Sequence, residues 1–125
     1  MLTIGEVAHH FALKPDTIRR HIRNGDLEAI RMNRTFRTDW PSVWACEEGP
    51  FPRGRAVERY KTPLLTKRDL AARMRVSRRT VERWIESGLP TRRVFGHVRV
   101  NPHDATDWLR GHFGIDLAVE RDGDA

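Results

Sequence analysis

The sequence predicts a mainly α-helical protein with short β-hairpins, built from two similar units in tandem. Three observations predict this fold class: an internal repeat, helix-start residues at the same places in both copies, and a short alternating apolar segment after each pair of helices. The chain has 125 residues and a mass of 14.6 kDa. That length is enough for one compact domain or for two very small ones.

The internal repeat has an offset of 63 residues. Residues 2–25, LTIGEVAHHFALKPDTIRRHIRNG, align without a gap to residues 65–88, LTKRDLAARMRVSRRTVERWIESG, and 7 of the 24 positions are identical. The matches fall on apolar positions, on helix-start threonines and on a closing glycine. Two copies of one fold would place shared residues at such positions, so the repeat predicts two units of the same structure.

Each copy reads as two short helices separated by three residues. The patterns Thr3-x-x-Glu6 and Thr66-x-x-Asp69 are typical of capping boxes that begin a helix. The aspartate side chain is shorter than the preferred glutamate, so we expect the second box to be weaker. Helix, three-residue turn, helix is the helix-turn-helix arrangement.

A hairpin and a third helix follow each helix pair. The turns are expected at Met32–Arg34 in the first copy and at Gly96-His97 in the second. We place the first repeat at residues 1–46, a linker at 47–62, the second repeat at 63–113 and an acidic tail at 114–125. The linker is either a flexible connector or a segment in which Phe51 and Tyr60 pin the two repeats together.

The second copy resembles the excisionase and MerR-type winged helix-turn-helix family. The residues that carry this resemblance are Leu65, Thr66, Asp69, Leu70, Ala71, Ser77, Thr80, Val81, Ile85, Gly88, Leu89, Arg99, Trp108 and Leu109. The first copy fits through Leu2, Thr3, Glu6, Val7, Ala8, Thr17, Ile18, Ile22, Gly25, Leu27, Arg37 and Trp44. It departs from the pattern at Lys14-Pro15 and at His21. The resemblance implies two tandem winged helix-turn-helix units that bind double-stranded DNA.

The distribution of charge agrees with a nucleic-acid partner. The chain has 23 Lys and Arg against 17 Asp and Glu, a net charge of +6. Counted along the chain, residues 1–46 carry +2, residues 47–60 carry 0, residues 61–113 carry +7 and residues 114–125 carry −3. An excess of positive charge of this kind favours a polyanionic partner. The second repeat is therefore expected to contribute more to DNA affinity than the first.

The resemblance implies that the second helix of each unit enters the major groove and that the hairpin lies along the minor groove or the phosphates. Arg20 and Arg83 share one register and are the expected readers of guanine. The predicted DNA-binding residues are Asp16, Thr17, Arg19, Arg20, Arg23, Arg34, Arg37, Arg78, Arg79, Thr80, Arg83, Arg92, Arg93, His97 and Arg99. Glu82 and Glu86 either accept from cytosine or orient neighbouring arginines through helical pairs.

The sequence gives no sign of an enzyme. The glycines match neither a phosphate-binding loop nor a dinucleotide fingerprint, and the six histidines lack a metal-binding spacing. Cys46 is the single cysteine, which excludes an intramolecular disulfide, and it is expected to be a small buried residue. We therefore expect no catalytic residue, no metal and no cofactor.

Three roles remain open for such a DNA-binding protein. The first is an excisionase-like architectural factor of a phage or mobile element that assists a site-specific recombinase. The second is a transcriptional repressor or activator, and the third is a small terminase-like packaging or assembly protein. The chain is expected to be cytoplasmic and associated with the nucleoid, without a membrane partner, and to act either as a monomeric pseudo-dimer or through cooperative assembly on DNA.

Overall fold

The computed structural model describes residues 1–115 and has a mixed α/β fold, about half helical, with two small antiparallel sheets of three strands each. The protein contains more β-strand than the expected mainly α fold, because each sheet includes one strand from outside its hairpin. The acidic tail named above lies, from residue 116 onward, outside the described residues.

The first repeat contains six elements. They are β1 (Leu2–Thr3), α1 (Ile4–Phe11), α2 (Pro15–Arg23), β2 (Ile30–Met32), β3 (Thr35–Thr38) and α3 (Trp40–Ala45). The strand order is β1-β3-β2, so that β2 is an edge strand whose outer side is unpaired within the described residues. In the β2–β3 hairpin, Ile30 lies opposite Arg37 and Met32 lies opposite Thr35.

The second repeat follows a short strand and two turns of 3-10 helix. The elements are β4 (Glu47–Glu48), the 3-10 turns Gly54–Ala56 and Glu58–Lys61, α4 (Lys67–Met74), α5 (Arg78–Glu86), β5 (Arg92–Val94), β6 (His97–Arg99) and α6 (Pro102–Phe113). The strand order is β4-β5-β6, so β4, which directly follows the first repeat, pairs with the hairpin of the second. A single bridge between Leu65 and Val100 replaces the β1–β3 pairing of the first repeat.

The helix starts agree between the copies. Thr3 Oγ1 accepts from the Glu6 N–H at 3.1 Å and the Glu6 carboxylate accepts from the Thr3 N–H at 3.0 Å. Thr66 and Asp69 form the same two hydrogen bonds, each at 3.0 Å. Asp69 thus closes the second box as fully as Glu6 closes the first, so the geometry gives no weaker second box.

The short connection between the paired helices also has one conformation in both copies. Ala12 ends α1 at φ 55° and ψ 47°, and Arg75 ends α4 at φ 54° and ψ 45°. A left-handed residue at this place satisfies the last carbonyl groups of a helix and turns the chain sharply. The repeat in sequence is therefore a repeat in backbone geometry.

The turn of the second hairpin differs from the prediction by one residue. The loop consists of Phe95 at φ 50° and Gly96 at φ 85°, between β5 and β6. Two successive residues with positive φ match the twist of the flanking strands in a two-residue hairpin. His97 consequently belongs to β6. In the first hairpin the loop is Asn33-Arg34, inside the predicted Met32–Arg34 segment.

The linker pins the two repeats together, which is the second of the two alternatives. The Tyr60 hydroxyl donates to the Asp104 carboxylate of α6 at 2.9 Å, while its carbonyl accepts from the Trp44 indole N–H at 3.0 Å. Phe51 packs edge-on against Trp44, with ring centroids 5.7 Å apart, but stays half exposed. Tyr60, rather than Phe51, is the residue that joins both repeats.

Each repeat has its own apolar core, and the first core includes two residues from beyond the first repeat. The first contains Val7, Phe11, Ile18, Leu27 and Val43, together with Leu64 and Val94 from beyond the first repeat. The second contains Leu65, Leu70, Val81, Leu89, Val100, Ala105 and Leu109. No helix within residues 1–115 is long and apolar enough to span a lipid bilayer.

Candidate nucleic-acid interface

Helix α2 has one buried face and one basic face. Ile18 is fully buried in the first core, and Ile22 is half buried beside it. Arg19, Arg20 and Arg23 lie on the exposed side. The helix begins at Pro15, whose ring fits the first helical position because no N–H is needed there.

Helix α5 repeats this arrangement. Val81 is fully buried, and the exposed residues include Arg78, Arg79 and Arg83. Ser77 caps the helix, its hydroxyl oxygen accepting from the Thr80 N–H at 3.1 Å. Arg83 therefore occupies on α5 the position that Arg20 occupies on α2, and both are exposed.

Carboxylates engage some of the charges around these helices. Asp16 accepts from Arg19 at 2.7 Å on the surface of α2. Glu82 lies 3.5 Å from the Lys67 ammonium group of α4. Among the described residues, Glu82 forms its ion pair with Lys67 of the preceding helix and none with an arginine of α5. Thr17 is half buried, as is Thr80, whose hydroxyl lies 3.0 Å from that of Ser77.

The hairpins place their predicted DNA-binding residues in two different environments. Arg34, Arg93 and His97 are exposed. Arg37 is half buried, and one guanidinium nitrogen, Nη1, donates to the Phe36 carbonyl at 2.9 Å and to the Thr35 hydroxyl at 3.2 Å. These four side chains remain available at the surface of the two hairpins.

Arg92 and Arg99 require a correction, because both are buried between the repeats. Arg99 donates to the carbonyl oxygens of Phe11, at 2.8 Å, and Ala12, at 3.0 Å, at the end of α1. These carbonyl groups have no partner within their own helix, so the guanidinium group satisfies them. Burial lowers the pKa of the Arg99 guanidinium, and the nearby Asp69 carboxylate acts in the opposite direction. We therefore omit both arginines from the candidate interface.

Arg92 lies in a buried polar cluster. Its Nε donates to the Glu47 carboxylate, its Nη1 donates to the Pro50 carbonyl at 2.9 Å, and its guanidinium group lies 4.6 Å from the centre of the Tyr60 ring. The other Glu47 oxygen lies 3.2 Å from His10 Nε2. Glu47 comes from β4 and His10 from α1, so the cluster fastens the second hairpin to the first repeat.

A ring contact completes this junction. Phe95, in the turn of the second hairpin, stacks on His21 of α2 with ring centroids 3.7 Å apart and an interplanar angle of 8°. His21, which stands where the second copy has Trp84, thus has an aromatic partner in the other repeat. Sequence reasoning missed His10, Glu47 and Phe95, since nothing in a linear pattern pairs residues so far apart along the chain.

Histidine, cysteine and acidic side chains are the groups from which a metal or nucleophilic site would be built. Within residues 1–115, no group of three His, Cys, Asp or Glu side chains is placed to hold a metal ion. Burial, together with the charges of Glu47 and Asp26, raises the pKa of the Cys46 thiol to about 11. A thiol of that pKa is almost entirely protonated near neutral pH and is a poor nucleophile.

Comparison with known proteins adds no assignment. No protein-family model matches this chain, and neither a curated protein nor a solved structure gives a significant match. The two exposed arginine faces and the junction between the repeats are the features of this chain that bear on its function.

Proposed function

We propose that this chain is a sequence-specific double-stranded DNA-binding protein made of two tandem winged helix-turn-helix units. The observation that carries the proposal is the matched pair of basic faces on α2 and α5, with Arg20 and Arg83 exposed at equivalent positions above buried Ile18 and Val81. An α-helix fits the major groove of B-form DNA, where an arginine donates two hydrogen bonds to guanine O6 and N7.

The exposed hairpin residues have a supporting task. Arg34, Arg37, Arg93 and His97 lie at the surface of the two wings and contact phosphates or the minor groove in this proposal. Such contacts fix the register of a protein on the duplex without encoding its sequence. A single small module covers only about 600–1,000 Å² of DNA-facing surface, so that two modules are needed for a specific interface of ordinary size.

The rigid union of the two repeats favours an architectural role. Arg99 bonded to the end of α1, the buried Arg92–Glu47 pair and the Tyr60 contacts hold the repeats in one arrangement. Two recognition helices held in this way impose a fixed path on the DNA, whereas a flexible tether would follow the path of straight DNA. We therefore favour an excisionase-like recombination factor of a phage or mobile element over the other two roles.

DNA binding is tested by selecting duplexes from a random library and measuring fluorescence anisotropy over a series of salt concentrations. Arg20→Ala and Arg83→Ala are each expected to weaken binding to the selected duplex by about 1–3 kcal/mol, with relaxed specificity at one base pair. Since the second repeat carries +7 against +2, we expect the Arg83 variant to lose more. Arg55→Ala, which removes an exposed positive charge from the linker, is the matched control. Failure of the intact chain to bind duplex DNA at low ionic strength would exclude the proposal.

The architectural role has its own test. We expect protein binding at the selected site to decrease the distance between the two ends of the duplex. Energy transfer between fluorophores at those ends measures this distance. Deletion of the protein is expected to reduce excision in a recombination assay with the cognate integrase. An unchanged excision frequency would remove the recombination role and leave DNA binding in place.

A further inference from the structure

We propose that one copy of this chain binds a second copy head to tail, with the first hairpin of one copy docked on the second repeat of the next. The contact that joins the two repeats within the chain is the template for the contact between chains. This inference does not rest on DNA binding, because the contact uses neither Arg20 of α2 nor Arg83 of α5; Arg37 is the one side chain that it shares with the proposed DNA-binding surface.

The two hairpins have the same register, which fixes the equivalent positions. Ile30 lies opposite Arg37 in the first hairpin as Arg92 lies opposite Arg99 in the second. In the same way, Met32 lies opposite Thr35 as Val94 lies opposite His97. Ile30, Met32 and Arg37 therefore form the same sheet face as Arg92, Val94 and Arg99. We call this face of the first hairpin the open face.

The equivalent faces differ in what covers them. In the second hairpin, Arg92, Val94 and Arg99 are buried against the first repeat. In the first hairpin, Ile30 is 52% exposed and Met32 is 46% exposed. The outer edge of β5 is paired with β4, whereas the outer edge of β2 is unpaired in the described part of the chain. Exposed apolar side chains beside an unpaired edge are typical of a surface that another chain covers.

Arg37 makes the same hydrogen bond to the preceding carbonyl group as Arg99, its counterpart in the second hairpin. Nη1 of Arg37 donates to the preceding carbonyl at 2.9 Å, and Nη1 of Arg99 does so at the same distance. Arg99 then uses Nε and Nη2 on the carbonyl groups that end α1. Nε and Nη2 of Arg37 have no hydrogen-bond partner within residues 1–115, so they are free to bind equivalent carbonyl groups of another copy.

The second repeat presents the matching acceptor. By the offset of 63 residues, Met74 and Arg75 correspond to Phe11 and Ala12, and Arg75 has the same left-handed conformation as Ala12. The Met74 and Arg75 carbonyl groups accept no hydrogen bond from residues 1–115. They are therefore placed to accept from Arg37 of the next copy.

The open face and the acceptor surface both differ in side-chain type from their counterparts in the junction within the chain. The ion pair between Arg92 and Glu47 has no counterpart, because Ile30 stands at the position of Arg92. On the acceptor side, Trp84 stands at the position of His21 and packs against Trp108 and the 53% exposed Phe113. Helix α6 is 12 residues long against six for α3, and Phe113, which contacts Trp84, is its last residue. Apolar side chains thus take the place of the buried ion pair in the contact between chains, while the hydrogen bonds from an arginine to the carbonyl groups at a helix end are kept.

A contact between two different surfaces is heterologous and continues from copy to copy. Within the chain, the stacking of Phe95 on His21 leaves Arg19, Arg20 and Arg23 exposed on the same helix. The equivalent contact on α5 would likewise leave Arg79 and Arg83 free.

Sedimentation velocity of the full chain without DNA, over a concentration series, tests the proposal. The intact chain is expected to form dimers and longer species as the concentration rises. Met32→Glu on the open face and Trp84→Gln on the acceptor surface are each expected to weaken association about tenfold or more, because each leaves the contact without its apolar partner. Phe51→Glu, at a comparably exposed apolar position outside the contact, is expected to associate as the intact chain does.

The mixture of the two defective variants distinguishes head-to-tail contact from a symmetric one. Each variant keeps one intact surface, so an equal mixture is expected to form dimers that do not grow further. Thermal unfolding checks that Trp84→Gln, a partly buried position, is folded; if it is not, Phe113→Glu takes its place. An intact chain that stays monomeric at every concentration, a Met32→Glu chain that associates normally, or a mixture that stays monomeric would each overturn the proposal.

Discussion

Neighbouring arginine residues lie in opposite environments in this molecule. Arg93 is exposed on the second hairpin, whereas its neighbour Arg92 is fully buried with Glu47 and Tyr60. Strand geometry explains the difference, since successive side chains of a strand point to opposite faces of the sheet. One face of this hairpin meets the first repeat and the other meets solvent.

This contrast gives a prediction with an internal control. Arg92→Ala leaves the buried Glu47 carboxylate without its main partner, and we expect it to lower the free energy of unfolding by about 3–5 kcal/mol. Arg93→Ala is expected to change the free energy of unfolding by less than about 0.5 kcal/mol. Urea denaturation followed by circular dichroism measures both. Equal stability of the two variants would show that the buried cluster is not a stabilising junction.

A second prediction at this scale concerns Cys46. Its pKa of about 11, against an ordinary 9.0, means that the folded protein favours the protonated thiol. The contribution of this pKa shift to the free energy of unfolding is complete below pH 9 and is lost as the pH rises through about 11. Near pH 8 the thiolate fraction is about 100-fold lower than in the unfolded chain. Iodoacetamide labelling of native and urea-unfolded protein measures this ratio; comparable rates would contradict the raised pKa.

At the scale of elements, the two helix pairs are near copies because the residues that start and end them are local. The capping threonines, the left-handed residues after α1 and α4 and the buried positions of α2 and α5 recur at the same offset. Each of these features depends on residues within a few positions of one another. For this reason the sequence predicts the helices correctly, whereas the turn of the second hairpin lies one residue earlier than predicted.

The capping boxes supply a prediction at this scale. Thr3→Ala and Thr66→Ala each remove one side-chain acceptor from a helix start, and each is expected to cost about 1 kcal/mol of unfolding free energy. The costs should be equal within error, because Asp69 completes its box as Glu6 does. Chemical denaturation of the two variants provides the comparison. A clearly smaller cost for Thr66→Ala would restore the expectation of a weaker second box.

At the scale of the whole molecule, the two repeats share apolar packing and hydrogen bonds. Val94 of the second repeat packs in the first core, and both Arg99 and Tyr60 make hydrogen bonds across the junction. Neither repeat can lose its structure without exposing apolar and polar groups of the other. The linker is therefore part of the structure and not a tether.

We accordingly expect a single unfolding transition. Tryptophans lie in both repeats, at Trp40 and Trp44 in the first and at Trp84 and Trp108 in the second, so fluorescence reports on both. Tryptophan fluorescence and far-ultraviolet circular dichroism should give coincident urea curves. Two separated transitions would show that the junction contributes little.

The amino-acid order alone accounts for the repeat, the paired helices, the hairpins and the exposed arginines of α2 and α5. All of these are set by periodicity, caps and turns that act over a few residues. The burial of Arg92 and Arg99, the strand at Glu47 and the stacking of His21 on Phe95 are set by the packing of one repeat against the other. The long-range hydrogen bonds of the two arginines join residues 42 to 88 positions apart, a separation over which no local pattern operates. The tertiary structure alone therefore decides the junction between the repeats. It also decides that the equivalent face of the first hairpin, the open face, stays exposed.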